Sequence, residues 1–347
     1  MPEENLIIRA DASTQIGSGH FMRCLALAQA WKDAGGEVIF ITACQNEGLL
    51  QRLKVEDFKV YVLACSHPDP IDWNYTREIL AAYPDAWVVL DSYHFNEEYQ
   101  EWVKEAGRQL LVVDDMAHLK HYYADILLNQ NLHAEQLDYS CEPYTCLLLG
   151  IDYALLRREF LAWKEWRREI PEVARHVLVT LGGADPENYT LKVLQALQRA
   201  DVLNLEAIAV IGANNPHANL LEAAIRKNRI PVRLIHDVKN MPELMAWADV
   251  AVSSAGTTVW ELAFMGVPTI VGIIAPIEEF LVYGLKKQGL FLNIGWFDSV
   301  SVTQVVEALK KLVYDERERN AMSVLGTHLL DGDGCDRILR HIKQERS

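Results

Sequence analysis

The stretch NLIIRADASTQIGSGHFMRCLALA, Asn5 to Ala28, sets out a strand, a loop and a helix in turn. NLIIRA is a short apolar run. Gly17, Ser18 and Gly19 form a flexible loop, and apolar residues at helical spacing follow through AQAWKDAGG, where glycines close the helix. A dinucleotide fingerprint would need a further glycine, as in GxGxxG. Here His20, Phe21 and Met22 follow Gly19, so that fingerprint fails. The glycines still let a ligand come close to the backbone. The positive end of a helix dipole disfavours a second proton on an imidazole placed there, which suits a base. The plainer reading of His20 is a residue that caps the helix in a tight turn.

Outward from this unit the rhythm repeats. EVIFITA, FKVYVLA, AWVVLDS, QLLVVDD and TCLLLG are apolar runs ending near a polar residue or glycine, several with helix-like stretches between them. Unbroken apolar runs suit strands of a parallel sheet buried on both faces. IDYALLRREFLAWKEWRREIPEVAR, 151–175, is charged, contains Pro171 and breaks the pattern. RHVLVTLGG, LEAIAVIG, PVRLIHD, DVAVSSAG and VPTIVGI then restart it. The expectation is an α/β protein of two doubly wound, Rossmann-like domains facing a cleft, with ligands beyond the carboxyl ends of the strands. The expected divisions are an N-terminal domain at 1–152, a linker at 153–174, a C-terminal domain at 175–330 and a last helix at 331–347 that returns to the first domain. A chain of 347 residues fits two domains better than one.

A formal net charge of −15 argues against nucleic acid or an anionic membrane as partner, but not against one small phosphorylated ligand. The six cysteines form no CxxC pair, and MPEENLIIRADAS has no basic, apolar leader. The expectation is a cytoplasmic protein with reduced thiols. No apolar run approaches the roughly 20 residues that span a bilayer.

Two further loops follow strands and open helices. TLGGADPEN, Thr180 to Asn188, exposes backbone amides at Gly182 and Gly183. SSAGTTVWELAFMGVPTIV, Ser253 to Val271, ends a strand in small and hydroxyl residues and starts a helix with Glu261 one turn in. Amides and hydroxyls at such a turn suit a diphosphate, and a carboxylate one turn on can accept from a ribose diol. The plainer reading is an ordinary turn with a capping Thr and a first-turn Glu. His118 and His121 are spaced like part of a zinc site but lack further ligands, and no metal is expected. Asp114 and Asp115 in VVDDMAH read as turn caps rather than ion ligands. Asp91 and Tyr93 stand at a strand's carboxyl end.

In order along nearly the whole chain, RADASTQIGSGHFMRCLALA, VVDDMAH, ADILLNQNL, LLGIDYALLRREF, LGGADPEN and SSAGTTVWELAFMGVP resemble the motifs of a known family. It comprises the nucleotide-sugar hydrolases of pseudaminic acid biosynthesis and related spore-coat polysaccharide proteins. These share the two-domain glycosyltransferase-B architecture of the lipid II-forming N-acetylglucosaminyltransferase. The resemblance implies removal of UDP from an acetamido-deoxy sugar nucleotide by water, with inversion and no cofactor or metal. It implies His20 as general base, Asp11 on the same loop to orient its ring, and Tyr93 on the sugar side. It implies Gly17, Ser18, Gly19, Arg157, Gly182, Gly183, Asn188, Ser254, Gly256, Thr257, Thr258 and Glu261 as the ligand-binding set. In APIEEFLVYGLKKQG the chain departs from the family, with Phe280 and Leu281 in place of an Asn-Gln pair and Glu278 and Glu279 near the diphosphate. The alternatives are a glycosyltransferase of the same fold and a non-catalytic sugar-nucleotide-binding protein.

Overall fold

The computed structural model describes residues 5–13, 17–183, 185–212, 215–236, 238–285 and 289–344, without the side chains of 280, 281 and 283–285. The chain divides into two units, Met1–Arg158 with Gly332–Ser347, and Glu159–Asp331.

The first unit opens with β1 (Asn5–Ala10), α1 (Gly19–Asp33), β2 (Glu37–Thr42), α2 (Glu47–Val55), β3 (Lys59–Val62), α3 (Pro70–Ala82) and β4 (Trp87–Asp91). It continues with α4 (Glu97–Glu105), β5 (Gln109–Val113), β6 (Ile126–Asn129) and β7 (Cys146–Leu149). The sheet is parallel, in the order β3-β2-β1-β4-β5-β6-β7. Leu6, Ile8, Phe40, Trp87 and Val89 bury one face, Ile7, Ile39, Ile41, Val88 and Leu90 the other. Period-two alternation therefore meets an apolar layer on both sides, which is why the strands read as unbroken runs. The strand order reverses between β1 and β4, so the crevice beyond their carboxyl ends is the place for a ligand.

The second unit contains α5 (Arg158–Leu161, beginning at the boundary residue), β8 (His176–Thr180), α6 (Tyr189–Arg199), β9 (Glu206–Ile211), α7 (Ala218–Arg226), β10 (Val232–His236) and α8 (Met241–Trp247). Next come β11 (Val250–Ser254), α9 (Thr258–Phe264), β12 (Thr269–Ile273), α10 (Pro276–Leu285), β13 (Leu292–Trp296), α11 (Val302–Tyr314) and α12 (Glu316–Leu329). Its parallel sheet runs β10-β9-β8-β11-β12-β13, with the reversal between β8 and β11.

The last helix, α13 (Gly334–Gln344), belongs to the first unit. Cys335, Ile338, Leu339 and Ile342, at i, i+3, i+4 and i+7, join the core that α1 also lines. Gly334 permits the approach, because a Cβ there would overlap the Ala154 carbonyl oxygen.

The expected linker at 153–174 is not a separate segment. Leu155 N–H bonds Gln130 Oε1 at 2.8 Å, and Arg158 pairs with Asp33 and Glu56 at 2.7 and 2.9 Å, all in the first unit. From Glu159 the chain packs into the second. The Phe160 and Phe264 rings lie 6.5 Å apart. The half-buried Arg168 guanidinium donates to the Ala248 carbonyl, to Met245 at 2.5 Å and to Met265 at 3.3 Å. These carbonyls lie at the ends of α8 and α9, where intrahelical partners run out. Its charge is therefore spent on helix ends rather than on solvent. Among the described residues, no helix is long and apolar enough to cross a membrane.

Candidate active site

Gly17, with φ of +72°, closes a turn by donating its N–H to Ser13 O at 2.9 Å, and Ser18 is the residue before α1. Glycine alone enters that backbone region without strain. His20 is then the second residue of α1 and 8% exposed. It is no cap: its Nδ1 lies 2.6 Å from Asp91 Oδ1 at the end of β4.

Arg23, one turn after His20, holds Asp91 through Nε to Oδ2 and a terminal nitrogen to Oδ1, both at 2.7 Å. The Cys24 thiol also points at Asp91 Oδ2, at 3.3 Å. Burial alone would raise the Asp91 carboxyl, but Arg23 and then His20 hold it well below the usual carboxylate range. An ionised carboxylate only accepts, so Nδ1 of His20 carries the proton and Nε2 is left as the basic nitrogen.

The cluster extends along the sheet edge. Arg23 also bonds both oxygens of Asp115 after β5, at 2.9 and 2.7 Å. Asp115 accepts from the Tyr93 hydroxyl at 2.7 Å and from Asn131 Nδ2 at 2.7 Å, and Asn131 follows β6. The Tyr93 ring meets His20 edge-on at 4.7 Å. Burial and then Asp115 push the Tyr93 phenol well above its ordinary value. Three neighbouring strands, β4, β5 and β6, thus place residues at or just beyond their carboxyl ends in the network that Arg23 ties to His20.

The expectation for Asp11 is corrected. Asp11 bonds Arg9 at 2.5 and 2.8 Å and the Ala43 N–H at 2.6 Å, and lies 3.1 Å from His94. Its carboxylate points along its own strand toward Arg9, two residues earlier on the same face. Asp91 takes the orienting place instead. Asp114 caps the turn, accepting the Met116 and Ala117 N–H groups at 2.7 Å, and also pairs with His118. Burial alone would lower the His118 imidazole, but Asp114 raises it overall. His121 goes to Ser140 at 2.9 Å. Among the described residues no group of three ligands could hold a metal ion. Arg157 is buried in the first unit after β7.

In the second unit the expected residues gather where the strand order reverses. Gly182 and Gly183 follow β8, with φ of +86° at Gly182, and Gly212 donates to the Gly183 carbonyl at 2.9 Å. Asn188 takes a left-handed conformation at the start of α6, with its carboxamide oxygen buried and unpartnered. Asp185 caps that helix, accepting the Tyr189 and Thr190 N–H groups at 2.8 Å. Ser254 ends β11, and Gly256, Thr257 and Thr258 follow. Thr257 makes no side-chain cap to α9, which removes the plainer reading of that hydroxyl, and Glu261 stands in the first turn. Phe280 and Leu281, where the chain departs from the family, have side chains outside the described residues.

Sequence reasoning placed Asp91 at a strand end without its partner, and read neither Arg23 nor Asp115 into the site. The i, i+3 spacing of His20 and Arg23 on one helix face is the signal that identifies Arg23.

Residues 176–323 match the glycosyltransferase family 28 C-terminal domain. An uncharacterised protein of Methanocaldococcus jannaschii is 28% identical over 77% of this chain, which spans 55% of that relative's length. The UDP-2,4-diacetamido-2,4,6-trideoxy-beta-L-altropyranose hydrolase of Campylobacter jejuni is 26% identical over 74% of this chain and 86% of its own. The spore coat polysaccharide biosynthesis protein SpsG of Bacillus subtilis is 24% identical over 95% of each. Among solved structures, MurG of Acinetobacter baumannii superposes with a TM-score of 0.67 at 12% identity, covering 98% of this chain and 99% of that one. MnaA of S. aureus, solved with UDP, gives 0.66 at 14% identity, covering 98% and 96%. The fold is that of the glycosyltransferase-B proteins.

Proposed function

We propose that this chain hydrolyses a UDP-linked acetamido-deoxy sugar to free sugar and UDP, with His20 as general base. The observation that carries the reading is the His20–Asp91 bond of 2.6 Å, backed by Arg23. The reading is also supported by the hydrolase activity for which the Campylobacter jejuni relative is named.

In this reaction His20 Nε2 takes a proton from water as the water oxygen bonds to the anomeric carbon. The anomeric C–O bond breaks, its electron pair leaves with the diphosphate of UDP, and attack from the opposite face inverts the centre. Asp91, Arg23 and Asp115 together carry one excess negative charge. The proton that His20 takes from water offsets that charge as the reaction proceeds. Gly256, Thr257 and Thr258 serve the diphosphate and Glu261 the ribose. Gly17, Ser18, Gly19 and Tyr93 serve the sugar and water side.

Incubation with the diacetamido-trideoxy UDP-sugar and no acceptor tests this. UDP release from the wild type, with the anomeric outcome read by proton NMR, is expected. Loss of turnover by about 100- to 10,000-fold in a folded His20→Ala protein is expected too. Release only on adding a sugar acceptor would make the chain a glycosyltransferase instead, and binding without release a non-catalytic receptor.

A further inference from the structure

Glu278, in the first turn of α10, is 8% exposed, and among the described residues it takes part in no ion pair. Its Oε2 accepts the Ile274 N–H at 2.8 Å. The Ser254 hydroxyl and the Ala255 and Ala275 amides lie beside it, and the Ala255 N–H bonds the Gly272 carbonyl at 3.2 Å. A Cβ built on Gly256 would stand 3.6 Å from Glu278 Oε1 and 3.6 Å from Ser254 Oγ. The place a Cβ would take at Gly256 is therefore within contact distance of two oxygens, one of them a carboxyl oxygen that has no ion-pair partner among the described residues.

A phosphate oxygen entering that space meets Ser254 as a donor. It meets an ionised Glu278 as a repulsive charge in a water-poor setting, where repulsion is strong. Protonation turns the same oxygen into a donor. We propose that Glu278 contacts the diphosphate as a neutral carboxylic acid, so that nucleotide binding takes up one proton from solvent. The proposal rests on the nucleotide reading of the Ser254–Glu261 segment given above.

The surroundings agree. Burial, the largest influence, pushes the carboxyl up to about 7, against the Ile274 amide bond and the nearby Ser254 hydroxyl and Ala255 and Ala275 amides, which act the other way. From β11 and β12 only a hydroxyl and backbone amides meet it. On its own helix Glu279 turns to Trp296 Nε1 at 2.7 Å, and the acidic group on α9 is Glu261. These groups supply no positive charge that would keep Glu278 ionised beside an anion.

Calorimetry of UDP binding at pH 8, in two buffers of different ionisation enthalpy, counts the protons. The phosphates of UDP titrate near pH 6 and stay silent there. The wild type is expected to take up about one proton, and its Kd to rise about tenfold from pH 8 to pH 9. Glu278→Gln, which keeps the shape and the bond to Ile274, should show neither effect. UDP bound without proton uptake, or an undiminished pH slope in Glu278→Gln, would overturn this inference alone. Absence of UDP binding to the wild type at every pH would overturn the nucleotide reading and this one with it.

Discussion

Replacing Asp91 by Asn changes one atom at the centre of the cluster, and its effect follows from the bonds already described. Asp91 accepts from His20 Nδ1, from two nitrogens of Arg23 and from the Cys24 thiol. An Asn supplies one oxygen where Arg23 uses two, Oδ2 for Nε and Oδ1, shared with His20, for a terminal nitrogen; with its oxygen kept on Nε and the Cys24 thiol, its NH2 faces His20. Nδ1 must then accept, the ring proton moves to Nε2, and the nitrogen that should deprotonate water is blocked. A wrong tautomer of this kind costs about 10,000-fold in turnover where a carboxylate backs a catalytic imidazole. Removing one partner of a buried ion pair costs about 3–5 kcal/mol. Arg23 keeps Asp115 at 2.7 and 2.9 Å, so the lower end, about 3 kcal/mol, applies. The assay is UDP release under single-turnover conditions, beside UDP affinity by calorimetry and unfolding in guanidinium. Turnover should fall by three to four orders of magnitude in the folded fraction, with UDP affinity unchanged. A folded Asp91→Asn protein within tenfold of the wild-type rate would refute the assignment of the tautomer, and with it the role of Asp91.

Three other outcomes are expected. Glu278 has its folded value raised from 4.5 to about 7, so its contribution to stability is fully present below about pH 4.5 and lost as pH rises through 7. At 1.36 kcal/mol per pH unit this amounts to about 3 kcal/mol by pH 8, and Glu278→Gln should be the more stable protein there by guanidinium midpoint. Glu261→Ala should weaken UDP binding by about 1–3 kcal/mol, read by calorimetry, as expected for lost hydrogen bonds to a charged group. Gly334→Ala should cost about 1–3 kcal/mol and expose α13 to proteolysis, because its methyl group meets the Ala154 carbonyl and backbone has nowhere to move.

The alternation of strand and helix was legible because parallel strands buried on both faces leave continuous apolar runs. The His20 loop was legible for a local reason, since glycines and the histidine are neighbours in the chain. The partner of His20 was not. Asp91 lies 71 positions away and reaches the imidazole only because β4 pairs directly with β1. Asp11 was chosen by proximity in sequence, yet alternation along the strand turns it toward Arg9. The segment around Trp163 to Arg168 read as part of a linker because it is charged and breaks the rhythm of strand and helix. Arg168 is instead enclosed by carbonyls at helix ends, a pairing that leaves no mark in composition.

The attachment of α13 to α1 bears on how the chain matures during synthesis. The apolar face of α1 is made before the whole of the second unit, and its cover is made after it. At typical elongation rates the intervening unit, 159–331, occupies the ribosome for about ten seconds or more. Through that interval the first unit lacks Cys335, Ile338, Leu339 and Ile342, and the surface they cover faces the cell. The second unit has no such debt and can close as it emerges. A nascent-chain binding factor should therefore hold the first unit longer than the second, the reverse of the usual order.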